Sequence, residues 1–241
     1  MPKGIFIVGT DTDVGKTIIT AGIMHILRSN GYNAVYFKVA LSGALEENNK
    51  LIPGDTELVS KVGKLEEPYE NITPYVYKEA VSPHLAASIE NNPIKLEVVK
   101  EKYNYLKSKY DYIVAEGSGG IVCPLIDDER GVYTLDSLIK DLNMKVIIIA
   151  RAGVGTINHS VLTVKYIESL GIKIKGIIIN NYKDELPYSD NVKMIEKLTN
   201  VPVIGKLKTI ENLENNEIEA IRVNSEKAFS IQKIVESMEE L

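Results

Sequence analysis

Gly9-Thr10-Asp11-Thr12-Asp13-Val14-Gly15-Lys16-Thr17 is the stretch on which the fold turns. It follows a short apolar run, Ile5 to Val8, and opens a helical pattern from Thr17 to Arg28 that closes at Gly31. A glycine-rich turn between a buried strand and a helix points successive backbone N–H groups, and the positive end of the helix, at one place. That is a cradle for phosphate. In such a loop Lys16 reaches the β- and γ-phosphates and the Thr17 hydroxyl ligates Mg²⁺. Five residues separate Gly9 from Gly15, where the common spelling has four. The bland alternative is a glycine turn followed by a chance Lys-Thr. The strand before it and the helix after it count against that.

Outward from this loop, apolar runs recur at Val35–Phe37, Tyr112–Ala115, Val146–Ala150, Ile174–Ile179 and Val201–Ile204. Residues apolar at successive positions suit strands covered on both faces. Between them lie helical patterns at Ser82–Glu90, Ile94–Lys107, Asn158–Leu170 and Asp190–Leu198. This alternation predicts an α/β fold: a mostly parallel β-sheet flanked by helices on both faces, the P-loop NTPase fold, with residues 1–241 forming one domain. Leu45–Pro53 reads as a polar, flexible loop. Tyr69–Lys78 reads as a long connection or an edge strand.

Three further segments offer chemistry. Glu116 ends the strand that begins at Tyr112 and is followed by Gly117-Ser118-Gly119-Gly120. A carboxylate there faces the ligand crevice of a parallel sheet, although a Gly-rich strand end also serves as a plain turn. Asp55, in Gly54-Asp55-Thr56, is either a helix N-cap or a further oxygen ligand for Mg²⁺ beside Thr17 and Glu116. Lys38 ends the second strand and points into the same crevice as Lys16. Two ammonium groups there would offset triphosphate charge, and Ser42 is placed to hold a polar group of a substrate.

The composition is ordinary for a soluble globular protein. Of 241 residues, 44% are hydrophobic and 25% charged, and the net charge is -5, which argues against nucleic acid as a partner. Cys123 is the single cysteine, so no internal disulfide forms and a cytoplasmic location is expected. The opening MPKGIFIVGTD is not read as a signal peptide, and no apolar run approaches the roughly 18 residues that span a bilayer.

Taken in chain order, GTDTDVGKT, FKVALSG, GDTEL, SPH, AEGSGG, GVGTINH and IIINN resemble dethiobiotin synthetase over roughly residues 3 to 207. The resemblance implies that Asp13, Val14, Gly15, Lys16, Thr17 and Ile18 hold the triphosphate of ATP, and that Thr17, Asp55 and Glu116 hold Mg²⁺. It makes Lys38 the active-site lysine, with Lys16 acting beside it. It places Gly117, Ser118 and Gly119 along phosphates and substrate. Asn180 would read the purine, with Asn181 beside it and Lys208, Thr209 and Ile210 at the base-binding edge. Ser42 would contact the diamine or its carbamate. Gly155, Thr156, Ile157 and Asn158 would bind the substrate carboxylate of the neighbouring subunit in a homodimer. The implied substrates are 7,8-diaminononanoate, CO₂ and ATP. Two departures stand out: Val39 follows the lysine where the family has proline, and Lys208 stands three residues beyond Gly205 where the family again has proline.

Two other functions compete. A partitioning ATPase of the deviant P-loop group carries an extra lysine near the start of the loop, where this chain has Thr10 and Asp11. An amide-forming synthetase would need a glutaminase cysteine, and Cys123 lies in an unlike context, Gly-Ile-Val-Cys-Pro at 120–124. Elsewhere, His84 either caps and packs a helix or serves as a lid over substrate. His159 is expected to be packed and hydrogen-bonded, and Cys123 inert. The stripe Phe229, Ile231, Ile234, Val235 and Met238 is expected to pack on the body, since its other face is acidic and unlike a membrane-binding helix.

Overall fold

A computed structural model describes every residue but Asn212, with the side chains of 213–215 also outside the description. Strand β1 (Lys3–Gly9) leads into the phosphate loop and helix α1 (Lys16–Ser29), and β2 (Ala34–Lys38) follows. An excursion comes next: β3 (Ala40–Ser42), β4 (Leu45–Glu47), β5 (Lys50–Ile52), α2 (Gly54–Gly63), α3 (Tyr69–Ile72), β6 (Tyr75–Tyr77), α4 (Pro83–Ile89) and α5 (Leu96–Lys109). The chain returns as β7 (Tyr112–Gly120), then makes β8 (Pro124–Asp128), β9 (Gly131–Thr134) and α6 (Leu135–Asp141). It finishes with β10 (Val146–Arg151), α7 (Thr156–Ser169), β11 (Ile174–Tyr182), α8 (Leu186–Thr199), β12 (Val203–Lys208), α9 (Leu213–Ala228), α10 (Ile231–Ser237) and β13 (Glu239–Glu240).

The main sheet runs β12-β11-β10-β1-β7-β2, parallel throughout, with β13 antiparallel against the start of β1. Six of the seven residues of β1 are buried, as are the first five of the six in β10. Strands this apolar need cover on both faces, and crossover helices provide it. The chain fills the β7–β2 side of β1 first and then crosses to β10, β11 and β12. Ligands of open α/β sheets bind at such a reversal, beyond the carboxyl ends of the strands, and the phosphate loop lies there.

The expected strands and helices are present, with boundaries shifted by a few residues. Leu45–Pro53 corrects one expectation: it is not a structureless loop but carries the antiparallel hairpin β4–β5, with Asn48 and Asn49 at φ 51° and 60° in the turn. Asparagine tolerates this left-handed backbone, so a polar stretch can still make a tight hairpin. Tyr69–Lys78 resolves into the short helix α3 and the strand β6, which pairs in parallel with β3 rather than joining the main sheet. The pair β8–β9 and helix α6 were not legible in the sequence. Phe229, Ile234 and Met238 are buried, so the C-terminal stripe does pack on the body.

Candidate active site

The phosphate loop closes over the sheet through one unusual approach. Gly15 has φ 88°, and a Cβ added there would come within 1.9 Å of Asn180 Nδ2. Asn180 is buried, and its amide donates to the Val14 carbonyl at 3.0 Å, so β11 holds the loop from below. Only glycine combines this left-handed backbone with such close packing.

Beyond the loop, a cavity of about 500 Å³ is lined by Asp13, Gly15, Lys16, Thr17, Ile18, Lys38, Ser42, Asp55, Glu116, Ser118 and Gly119, together with Thr12 and Leu41. Register explains the meeting of Lys38 and Glu116: they face each other across β2 and β7 at the last pair of that ladder. Strand β7 continues to Gly120, so Glu116 stands where β7 leaves β2 rather than at the strand's own end. Asp55 arrives on the first turn of α2. Pro53 occupies the cap position of that helix, so Asp55 is not its N-cap.

Charge organises the cavity. Lys38 Nζ donates to Asp55 Oδ2 at 2.6 Å and to Glu116 Oε1 at 2.8 Å, and Thr17 Oγ1 donates to Glu116 Oε1 at 3.1 Å. Burial opposes the charged form of Lys38, but the two carboxylates outweigh it and hold the ammonium protonated well above the ordinary lysine range. Burial likewise works against ionised Asp55, and Lys38 overcomes it, leaving that carboxyl below its usual range. Lys16 is shifted the other way: burial lowers it, and the attraction of Glu116, Asp55 and Asp13, reduced by repulsion from Lys38, only partly offsets that burial. Its ammonium donates to the Asp11 carbonyl at 3.1 Å.

Do these residues suit Mg²⁺? Thr17, Asp55 and Glu116 present oxygen only, and Glu116 Oε2 is buried without a hydrogen-bond partner. Among the described residues no group of three or more His, Cys, Asp or Glu is arranged as a metal cage. Mg²⁺ typically takes one or two carboxylates and completes its shell with water and phosphate oxygens, so the set fits.

A second cavity, of about 650 Å³, shares Thr12, Asp13, Ser42, Ser118 and Gly119 with the first and extends between Ala80–Pro83 and Val122–Pro124. Its wall includes Cys123, whose thiol is pushed up by burial, in keeping with an inert group. Sequence reasoning missed Thr12, Leu41 and the Ala80–Val81 wall. For Thr12 the signal was present, since it lies inside the phosphate loop. His84 turns away into a separate cavity with Asp127 and Arg130, which removes it from both pockets above.

Other expected residues do not meet in these cavities. Asn181 is exposed at φ 53°, and Lys208 is exposed and pairs with Asp184 at the far edge of the sheet. Gly155–Asn158 start α7 with no side-chain cap, and none of them lines either cavity. His159 corrects a further expectation: it is exposed rather than packed, because the helix turns it outward from the first turn of α7.

Known proteins resemble this chain over most of its length. A family described as AAA domain matches residues 3–217. The chain is 72% identical over 241 residues to the ATP-dependent dethiobiotin synthetase BioD of Clostridium kluyveri, covering 100% of both chains. It belongs to the dethiobiotin synthetase family. The corresponding protein of Clostridium acetobutylicum is 48% identical over 239 residues, covering 99% of this chain and 100% of that one. Among solved structures, a ParA family ATPase from Chlorobium tepidum aligns with TM-score 0.57 at 16% identity, covering 98% of this chain and 96% of that one. The MinD cell division protein of Aquifex aeolicus aligns with TM-score 0.55 at 16% identity, covering 98% and 94%. At such low identity these two likenesses concern the fold alone.

Proposed function

We propose that this chain closes the ureido ring of dethiobiotin on 7,8-diaminononanoate, consuming ATP and CO₂ and releasing ADP and phosphate. The full-length 72% identity to a dethiobiotin synthetase carries the reading, and two abutting cavities that share Thr12, Asp13, Ser42, Ser118 and Gly119 support it. One cavity suits phosphates and the other a small organic substrate.

The chemistry needs no protein nucleophile. One amine captures CO₂ as a carbamate. A carbamate oxygen attacks the γ-phosphorus and displaces ADP, giving a carbamic–phosphoric anhydride. The second amine attacks the carbamoyl carbon, phosphate leaves, and the ring closes as protons are released. The protein positions the reactants and stabilises charge. Lys16 holds the β- and γ-phosphates from within the loop. Lys38, held protonated in the crevice wall, offsets the charge of carbamate and transferring phosphoryl. Ser42 orients the substrate at the junction of the cavities. Ser118 Oγ donates to the Ala40 carbonyl at 2.7 Å, which fixes β3, and hence Ser42, against β7. Thr17, Asp55 and Glu116 would hold Mg²⁺, which supplies neutralisation of the phosphate oxygens. Asn180, Asn181 and Lys208–Ile210 are assigned to the nucleotide base.

In this reading residues 1–241 act as one synthetase domain in the cytoplasm, with neither nucleic acid nor membrane as partner. No helix among the described residues is long and apolar enough to cross a membrane. The working unit is a homodimer in which Gly155–Asn158 complete the neighbour's site. Support comes from α7, where Asn158, Leu162 and Tyr166, spaced four apart, are all exposed. The test is ADP release with and without 7,8-diaminononanoate and bicarbonate. Release should depend on the diamine; release indifferent to it would replace this reading with that of a switch ATPase.

A further inference from the structure

Arg28, in the last turn of α1, donates to backbone carbonyls of two other elements. Its Nε bonds the Gly63 carbonyl at 2.8 Å and its Nη2 that of Lys64 at 3.0 Å, both at the end of α2. Its Nη1 bonds the Ala34 carbonyl at 3.0 Å, at the first residue of β2. A planar guanidinium holds such a fork in fixed geometry, which a single ammonium does not. Arg222 of α9 meets the two preceding carbonyls, Lys61 at 2.7 Å and Val62 at 3.0 Å, so carbonyls that the helix cannot satisfy by itself are all bonded. Gly63 lets α2 come this close to α1: a Cβ added there would lie 3.1 Å from Met24 Cβ.

The three elements joined at Arg28 are the ones that carry Thr17, Lys38 and Asp55 to the cavity. Thr17 is the second residue of α1, Lys38 the last of β2 and Asp55 the second of α2. Each element thus has a site residue at one end and the Arg28 guanidinium at the other. Helices rise about 1.5 Å per residue and strands about 3.3 Å, which sets the guanidinium about 12–16 Å from the site along each of them. Over that length a tilt of about 4° moves the site end by about 1 Å, and Mg²⁺ demands near-ideal ligand distances of about 2.0–2.1 Å.

We propose that Arg28 is a positioning residue for the phosphate site: it ties α1, β2 and α2 together at their ends away from the cavity and so sets the spacing of Thr17, Lys38 and Asp55 within it. It touches neither nucleotide nor substrate and acts through those three side chains. The inference rests on the role of Thr17 and Asp55 in holding Mg²⁺ proposed above. The alternative is an arginine that caps α2 for stability alone.

Arg28→Met removes the guanidinium and keeps an apolar stem. Mn²⁺ binding to the ADP complex, followed by electron paramagnetic resonance well below the unfolding temperature, should weaken by about tenfold. A double-mutant cycle with Asp55→Asn then separates positioning from capping, since changes at distant sites that act independently multiply. If Arg28 works by placing Asp55 and its neighbours, Arg28→Met should cost less than about threefold once Asp55 has been changed. A cap alone would lower the urea midpoint and leave Mn²⁺ affinity where it was. That result, or the same tenfold loss in both backgrounds, overturns the proposal. Asp55→Asn by itself tells the two levels apart. If it weakens Mn²⁺ binding and Arg28→Met does not, only the role of Arg28 fails. If Asp55→Asn changes nothing, the magnesium reading of Asp55 fails and the inference fails with it. Should Arg28→Met not fold, Arg28→Lys, which keeps the charge but not the fork, carries the same cycle with the same outcomes.

Discussion

Lys16, Lys38, Asp55 and Glu116 come from four separate segments and place opposite charges inside one cavity. Their energies are set by one another more than by water, so single substitutions should act well beyond their own contacts. Lys16→Ala leaves β/γ-phosphate charge uncompensated, and kcat should fall by roughly 100-fold or more, measured as ADP release by a variant whose circular dichroism matches the parent. Asp55→Asn and Glu116→Gln each remove a formal charge from the oxygen set. Both should raise the Mg²⁺ concentration for half-activation by about tenfold, and coincident activation curves for parent and variants would reduce the two residues to structural roles. At this scale the sequence was highly legible where a short motif carried the chemistry, as in the loop from Asp13 to Ile18. It was silent on Leu41, because no local pattern marks an apolar residue as part of a cavity wall.

Helix α2 illustrates what governs an element. From sequence its start resembles a capped helix with Asp55 as the cap, yet Pro53 takes that place and Asp55 sits two positions inside, where it meets Lys38. Glu67, just beyond α2, had no sequence signal at all. Its side chain is buried and accepts from Asn71, Tyr105, Lys109 and Tyr110, tying the segment before α3 to the end of α5. Burial alone would raise its carboxyl, but these donors pull it down from 4.5 to about 2. Because the folded value is depressed, the stabilisation is complete above pH 4.5 and is lost as pH falls toward 2. Glu67→Gln should therefore lower the urea midpoint at pH 7, by about 2 kcal/mol in unfolding free energy. The gap between parent and variant should close as the pH of the titration is taken from 4.5 to 2; a constant gap would show that ionisation of Glu67 is irrelevant.

For the whole molecule the open matter is the separation of Gly155–Asn158 from the cavities of their own chain. The first-turn amides of α7 suit a carboxylate, and a second copy brings them to a substrate only if sites are shared between subunits. Mixing an inactive Lys16→Ala, Lys38→Ala chain with an inactive Asn158-disrupted chain tests this. In heterodimers one site takes both defects and the other takes none, so activity should recover toward roughly a quarter of the parent's when subunits exchange freely. Demonstrated exchange without recovery, or a monomeric active species, would end the shared-site reading and leave the phosphate loop assignment intact.

The sequence by itself determined the parallel α/β sheet, the phosphate loop and its lysine, because strand burial, helix periodicity and the loop are all written within a few neighbouring residues. It also supplied Lys38, Ser42, Asp55 and Glu116 as candidates. Only the tertiary structure decided that these four meet, that Asp55 is no cap, that His84 and His159 face elsewhere, and that 45–53 is a hairpin. The register of β2 against β7 makes the central pair, and register comes from packing between segments some 78 residues apart. Local propensity holds no information about that distance.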